Sequence, residues 1–316
     1  MTFPFHHRPG SFGILLTVLF LGAGCGTVKR TAVNQLGDAL ASGSSVYASD
    51  DDPELIRAAA PFSLKLMESV LAESPQHRGL LLAAASGFTQ YGYAFVQQDA
   101  DELETTDVEA ADRARDRARR LFLRARDYGL RGLDVTHPDF SATLRSRPAD
   151  AVRACGVEDV PLLYWTAASW AAAIAVKKDR PDLIAQLPQV EFLLDRALEL
   201  DEGYGQGAIH TLLISYEMAR QGASGIPEDR ATHHFKRAVA LGPNLAAPYV
   251  TFAESVCLQK QDRARFEVLL RQALAVDADA HPESRLVTLV LQRRARWLLG
   301  QIDDLFLTPD PVSDSK

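Results

Sequence analysis

The chain has 316 residues, of which 47% are hydrophobic and 24% charged, and its formal net charge is −7. This hydrophobic content is sufficient for a large buried core. The acidic balance argues against a nucleic-acid partner, because a surface that binds nucleic acid needs basic side chains to displace the counterions of the phosphates.

Residues 1–24 have the pattern of a signal peptide. Arg8 supplies the positive end, and residues 12–21 form an apolar run of ten, about half of the roughly 20 residues that span a bilayer. Small residues at 22–24 then precede Cys25. This arrangement resembles the lipobox of bacterial lipoproteins, in which the cysteine is acylated and becomes the mature N-terminus. It departs from that pattern at Gly22, where leucine is usual, and an ordinary cleaved secretory signal is the alternative.

Acylation of Cys25 would anchor the protein firmly, because each buried methylene contributes about 0.8 kcal/mol. The mature chain would carry 33 basic and 41 acidic residues, a formal charge of −8. We expect it to lie at the periplasmic face of the envelope. Gly26 follows the cysteine in place of the inner-membrane retention residue Asp, which favours the outer membrane. Residues 25–50 are predicted to form a tether with a weak first helix.

Residues 51–307 are predicted to fold as an all-α domain of helix pairs. Asp52 is an N-cap followed by proline at the first helical position, a strong helix start.

Similar helix endings recur at Ala197, Ala238 and Ala273, at spacings of 41 and 35 residues. The tetratricopeptide repeat, with a period of about 34 residues, resembles this pattern. We therefore predict degenerate tetratricopeptide-like repeats. The alternative is an all-α domain whose helix ends are alike only because helix ends generally are. Residues 308–316 are predicted to form a C-terminal tail.

Three insertions interrupt the predicted repeats, at residues 99–110, 135–160 and 220–230. Residues 99–109 are acidic and are predicted to form a solvated loop. The arginine-rich helix that follows, at residues 110–128, could in principle bind nucleic acid, but local ion pairs and the negative total charge favour a solvated helix face. The contents of residues 135–160 could not be predicted.

No catalytic or metal-binding motif occurs in the chain. We therefore predict neither an enzyme nor a cofactor. The glycine-rich residues 203–207 lie between two predicted helices, which favours a turn with a tight helix crossing over a nucleotide loop. Cys155 and Cys257 lie in apolar surroundings and are predicted to be buried free thiols, although a disulfide between them is compatible with an oxidising compartment.

Aromatic residues provide the better functional indication. Tyr164, Trp165 and Trp170 lie in a predicted helix at residues 162–176 that is otherwise built of small residues. Tyr204 and His210 follow in the next repeat. Each of these residues could belong to the repeat core. As a group, amphipathic rings and one histidine could also line an apolar pocket with a few polar groups.

Residues 119–134 and 163–216 resemble the T component of tetratricopeptide-associated TRAP transporters. The resemblance implies a periplasmic lipoprotein with an all-α repeat fold that forms a homotrimer. It also implies pairing with the solute-binding P component of the transporter and a partly apolar channel for a hydrophobic or carboxylate-bearing ligand. In that case Cys25 is the anchor, and Tyr164, Trp165, Trp170, Tyr204 and His210 are our candidates for the channel lining.

A generic protein-interaction scaffold is the alternative function. Stacked helix pairs create a concave groove, and such a scaffold would bind a peptide there. It would carry polar residues along the groove, whereas the predicted helix at residues 162–176 is apolar and aromatic.

Overall fold

The computed structural model describes residues 31–177 and 179–307. The predicted signal peptide, Cys25 and the tail at 308–316 lie outside the described residues. Within the described ranges all regular structure is helical and there is no strand, which confirms the predicted all-α class. No helix in these ranges is both long and apolar enough to cross a membrane.

The helices are connected mostly by short turns. They are α1 (residues 31–42), α2 (Ser44–Ala48), α3 (Pro53–Glu73), α4 (Arg78–Tyr91), α5 (Gln98–Leu103), α6 (Val108–Thr136), α7 (Phe140–Ser146), α8 (Pro148–Arg153), α9 (Val160–Ala175), α10 (Pro181–Ile184), α11 (Leu187–Leu200), α12 (Tyr204–Ala219), α13 (Pro227–Leu241), α14 (Ala247–Phe252), α15 (Leu258–Lys260), α16 (Arg263–Leu274), α17 (Arg285–Gly300) and α18 (Ile302–Leu305).

At two places one α-helix continues into the next through a segment with a different hydrogen-bonding pattern. Gly92–Gln97 is π-helical and joins α4 to α5, and Ala253–Cys257 is π-helical and joins α14 to α15. Short π-helical segments often occur at functional sites.

Helix α3 begins as predicted. The Asp52 carboxylate accepts hydrogen bonds from the backbone N–H groups of Glu54 and Leu55, both at 3.0 Å. Pro53 occupies the first helical position, where its missing N–H costs nothing. The helix ends at Glu73, and Ser74 is its C-cap.

Successive helices pack in a regular order. α3 contacts α4, α4 contacts α6, α6 contacts α9 and α9 contacts α11, and the pattern continues from α12 to α17. Three apolar clusters follow one another along the chain, around Phe122, Leu163 and Phe266. This arrangement is consistent with stacked tetratricopeptide-like helix pairs, in which each pair buries its apolar face against its neighbours.

The crossing of α6 and α9 depends on two glycines. A Cβ atom at Gly129 would lie 2.1 Å from the Thr166 hydroxyl oxygen, and one at Gly132 would lie 2.7 Å from a Leu162 methyl group. The two helices could not approach this closely with larger residues. This explains why glycine stands twice in the segment 119–134.

One helix from each pair contributes to a closed circuit, and we call α4, α9, α12, α14 and α17 the inner helices. α4 contacts α9, α9 contacts α12, α12 contacts α14, and α14 contacts α17. The circuit closes through ion pairs between α17 and α5, the continuation of α4. Arg293 pairs with Asp99 and Glu102, and Arg294 pairs with Asp101.

The prediction of a solvated loop at residues 99–109 was therefore wrong for its first half. Residues 99–103 are helical, and their carboxylates pair with arginines from α3, α6 and α17. The sequence could not indicate this, because Asp101 and Arg294 are 193 residues apart. Residues 104–107 do form an exposed turn.

The insertion at 135–160, which the sequence left unassigned, contains α7, α8 and a short 3₁₀ turn, Val157–Asp159. Cys155, which follows α8, and Cys257 are both buried and free, as predicted.

Removing the charge of Arg294 should destabilise the protein strongly. Arg294 is 13% exposed and lies 2.6 Å from Glu254 and 2.7 Å from Asp101. Arg294→Met would leave the largely buried Glu254 carboxylate without its cation, and would leave Asp101 only a longer contact of 3.5 Å with Arg115. We expect a loss of about 3–5 kcal/mol in the free energy of unfolding, measured by urea denaturation. The control, Arg113→Met, removes an exposed arginine that lies 3.5 Å from Glu109, and should change little. Equal, small effects of both substitutions would contradict the closing role of Arg294.

Candidate functional site

Three of the predicted lining residues lie together where α9 meets the start of α12. The ring of Tyr164 is 5.1 Å from that of Trp165 and 5.3 Å from that of Tyr204. All three side chains are half-buried. Burial raises the pKa of Tyr164 and of Tyr204, so both phenols keep their protons at neutral pH and can donate hydrogen bonds.

The glycine-rich turn places Tyr204 in this cluster. Gly205, Gln206 and Gly207 all have positive φ, a conformation that glycine adopts easily. A Cβ atom at Gly207 would lie 3.1 Å from Cα of Ala238, so the turn also permits a close crossing of α12 and α13. The predicted turn with a tight crossing is confirmed.

Trp170 lies apart from this cluster. It is 4% exposed and belongs to the core around Leu163. Its indole N–H donates a hydrogen bond of 2.9 Å to the Gln186 side chain, and the Arg126 guanidinium lies 5.0 Å from its ring. These contacts indicate a packing role.

His210 is buried and pairs with a second histidine, His234 on α13. Their Nδ1 atoms are 2.8 Å apart, and Nε2 of His210 lies 3.1 Å from a carboxylate oxygen of Glu202. The carboxylate accepts, so Nε2 of His210 carries a proton, and in the neutral ring Nδ1 accepts from His234. Burial lowers the pKa of both imidazoles, that of His234 to about 4. Both rings are therefore neutral at pH 7.

Beside the histidine pair, α12 carries a buried carboxylate held by two arginines. Glu217 is 2% exposed and pairs with Arg220 at 2.8 Å and Arg230 at 2.5 Å. Burial alone would raise the pKa of Glu217, but the two guanidinium groups hold it below the ordinary value. Arg220 also pairs with Glu191 and Asp195 on α11. These contacts bind α11, α12 and α13 to one another.

A second group of residues surrounds Tyr93, and none of them was predicted to belong to a site. Tyr93 lies in the first π-helical segment, Glu254 in the second, and Arg294 on α17. Tyr93 is 38% exposed, yet burial raises its pKa to about 12. Neighbouring side chains therefore desolvate the Tyr93 hydroxyl although part of the side chain remains accessible. Burial alone would lower the pKa of Arg294, but the neighbouring carboxylates of Glu254 and Asp101 raise it above its ordinary value.

The sequence held only a weak signal for this group of residues. Tyr93 was one of many aromatics, and neither π-helical segment has a recognisable residue pattern. Glu254 and Arg294 are 40 residues apart, and only the packing of α14 and α17 brings them together.

Two surface clefts have neither Tyr93 nor Tyr164 in their lining. One is lined by Tyr249, Gln272 and His281, among others, and the second by Asp112, Arg115 and Lys177.

Comparison with known proteins identifies the family. A family model described as "TRAP transporter T-component" matches residues 49–306. The chain belongs to this family. An uncharacterized protein of Treponema pallidum (strain Nichols) is 30% identical over 309 residues, which cover 91% of this chain and 94% of that protein. The predicted family is confirmed. A T component is an accessory part of a TRAP transporter, so the chain serves in TRAP-type transport and associates with that transporter in the cell envelope.

The histidine pair should make stability depend on pH. The folded pKa of His234, about 4, lies below its ordinary value of 6.5, so its contribution is complete above pH 6.5 and is lost as the pH falls toward 4. We expect the free energy of unfolding to fall by about 1–2 kcal/mol between pH 7 and pH 5, measured by urea denaturation.

Two variants isolate this contribution. His234→Asn should flatten the pH dependence, because an amide does not titrate. His233→Asn changes the exposed neighbour and should retain the slope of the wild type. An unchanged slope in His234→Asn would show that other groups cause it.

Proposed function

We propose that this protein docks the periplasmic solute-binding component of a TRAP transporter and offers a hydrophobic or carboxylate-bearing ligand a path between its inner helices. Membership of the T-component family is the observation that carries this proposal. The closed circuit of inner helices supports it, because such a circuit can surround a passage in a way that an open groove cannot.

The proposed lining uses partly exposed aromatic residues on the inner helices. Tyr164 and Trp165 lie on α9, Tyr204 begins α12, and Tyr93 extends from α4. Tyr93 and Tyr164 both combine accessible surface with strong desolvation, as expected of rings that face an enclosed space. Aromatic surface of this kind suits an aliphatic ligand.

Hydrogen-bond donors for a ligand carboxylate would come from the phenols. The arginines near Tyr93 already face Asp99, Asp101, Glu102 and Glu254, so their charge is largely neutralised. Tyr93 and Tyr164 remain protonated at neutral pH and can donate O–H groups. Such a path would favour a mostly apolar ligand over a highly charged one.

Anchoring and assembly are proposed from the resemblance alone. Acylation of Cys25 would tether the protein to the outer membrane and place the helical domain in the periplasm. A homotrimer would present three docking sites for the receptor. No catalytic step is proposed.

A generic interaction scaffold is the second candidate. The apolar and aromatic character of α9 weighs against it, because peptide-binding grooves between helix pairs need polar side chains. One experiment distinguishes these two functions directly.

We would mix the purified protein with the solute-binding component encoded nearest to it and measure molar mass by light scattering after gel filtration. A stoichiometric complex built on a trimer is expected. A monomer that does not bind the receptor would contradict the proposed docking and would favour the generic interaction scaffold.

The aromatic cluster can be tested with a fluorescent naphthalene sulfonate, an amphipathic anionic probe. Trp165→Ala should weaken probe binding with only a modest loss of stability, because the side chain is half-buried. The matched change Trp170→Ala should instead cost about 3–5 kcal/mol, since that ring is 4% exposed and packed in the core. Severe unfolding of Trp165→Ala, or unchanged probe binding, would exclude Trp165 from the lining.

A further inference from the structure

Three potential metal ligands converge in the connection between α6 and α9. One ligand atom each from His137, Cys155 and Asp159 lies within 4.8 Å of the other two. Cys155 is 2% exposed and Asp159 is fully buried, while the His137 side chain is 19% exposed. An imidazole, a thiol and a carboxylate thus meet at one place near the surface.

Each ligand comes from a different local structure. His137 caps the C-terminus of α6, Cys155 follows α8, and Asp159 ends the 3₁₀ turn Val157–Asp159. The cysteine follows the histidine by 18 residues and precedes the aspartate by four. No short metal-binding motif has this spacing, so the sequence alone does not indicate the site.

The Asp159 carboxylate is already oriented by its neighbours. Oδ1 accepts a hydrogen bond of 2.7 Å from Arg78 on α4. Oδ2 lies 2.8 Å from Nε2 of His137 and accepts from the Gly156 backbone N–H at 3.0 Å. Arg78 and Gly156 therefore fix the carboxylate from two sides, as hydrogen-bonded groups around metal ligands commonly do.

We propose that His137, Cys155 and Asp159 bind a divalent transition metal ion of the zinc type. Ligand atoms around tetrahedral zinc lie ~3.3–3.8 Å apart, given zinc–ligand distances of about 2.0–2.3 Å. The present separations of up to 4.8 Å require only small side-chain movements to reach that range. The thiol selects against magnesium and calcium, which prefer oxygen ligands. Three protein ligands leave the fourth position to water or to another small ligand.

Binding would displace one proton. The Cys155 thiol gives its proton to solvent and becomes the thiolate ligand. If Nε2 of His137 coordinates the ion, its proton moves to Nδ1, with no net loss. The charges of the ion, thiolate and carboxylate then cancel, and Arg78 keeps its contact with Oδ1. The affinity must therefore rise with pH.

A Cys–His–Asp arrangement also resembles a nucleophilic triad, but this environment does not suit one. Burial raises the pKa of the Cys155 thiol to about 12, whereas a catalytic cysteine has a lowered pKa and an accessible sulfur. A metal ion supplies the positive charge that this thiol needs to ionise.

The site would have a structural consequence. Asp159 directly precedes α9, which carries Tyr164 and Trp165, and Arg78 begins α4. A bound ion would fasten the irregular connection at 137–159 to the starts of two inner helices. This role does not depend on the proposed transport function.

Cobalt(II) is the probe that reports on the thiolate directly, because a cobalt–thiolate bond gives a near-ultraviolet charge-transfer band. We would titrate the full chain, stripped with a chelator, with cobalt and then displace the cobalt with zinc. We expect one equivalent of ion, about one proton released per ion, and a zinc-dependent rise in the unfolding temperature.

Three variants identify the ligands. Cys155→Ser and His137→Gln should lose the band and the thermal shift. Cys257→Ser is the matched control, because that thiol is also buried with its pKa raised to about 12, and it should behave as the wild type does. His137 is the most exposed of the three ligands, so His137→Gln keeps the test valid should Cys155→Ser fold poorly. A wild type without the band, or a band retained in Cys155→Ser, would overturn the proposal and leave a hydrogen-bonded Arg–Asp–His cluster.

Discussion

The ion pairs between α17 and α5 are the interaction on which the rest of the architecture depends. Helix pairs that merely stack would form an open solenoid, with its first and last pairs far apart. Here Arg294 lies between Glu254 and Asp101, and Arg293 lies beside Asp99 and Glu102. Because these charges are partly buried, each is stable only with its partner in place. The last inner helix is therefore fixed to the first.

Closing the circuit changes the kind of ligand that the inner helices can bind. In an open solenoid they would form a groove suited to a peptide, whereas a closed circuit can surround a small lipophilic molecule. The two π-helical segments lie at this junction, and they place Tyr93 and Glu254 beside Arg294. Tyr164, Trp165 and Tyr204 lie farther round the circuit, on α9 and α12. Membership of the T-component family agrees with an accessory role in a TRAP transporter.

Local features of the fold could be predicted from the sequence, because nearby residues determine them. The start of α3 at Asp52, the apolar helix at α9 and the turn at 203–207 all follow from capping, composition and glycine. Long-range features could not. The sequence around residues 99–103 predicts a solvated segment, but arginines from α3, α6 and α17, distant in the chain, pair with its carboxylates. The packing role of Trp170 depends in the same way on Gln186, which a separate turn supplies.

We propose that the inner helices surround the path of a lipophilic carboxylate, and a bound heavy atom would locate that path directly. Crystals grown with a brominated fatty acid would place the bromine by its anomalous scattering. We expect a peak inside the circuit, near Tyr93 or beside the Tyr164 and Tyr204 rings. A peak only on the outer surface, or none at saturating concentrations of the fatty acid, would contradict it.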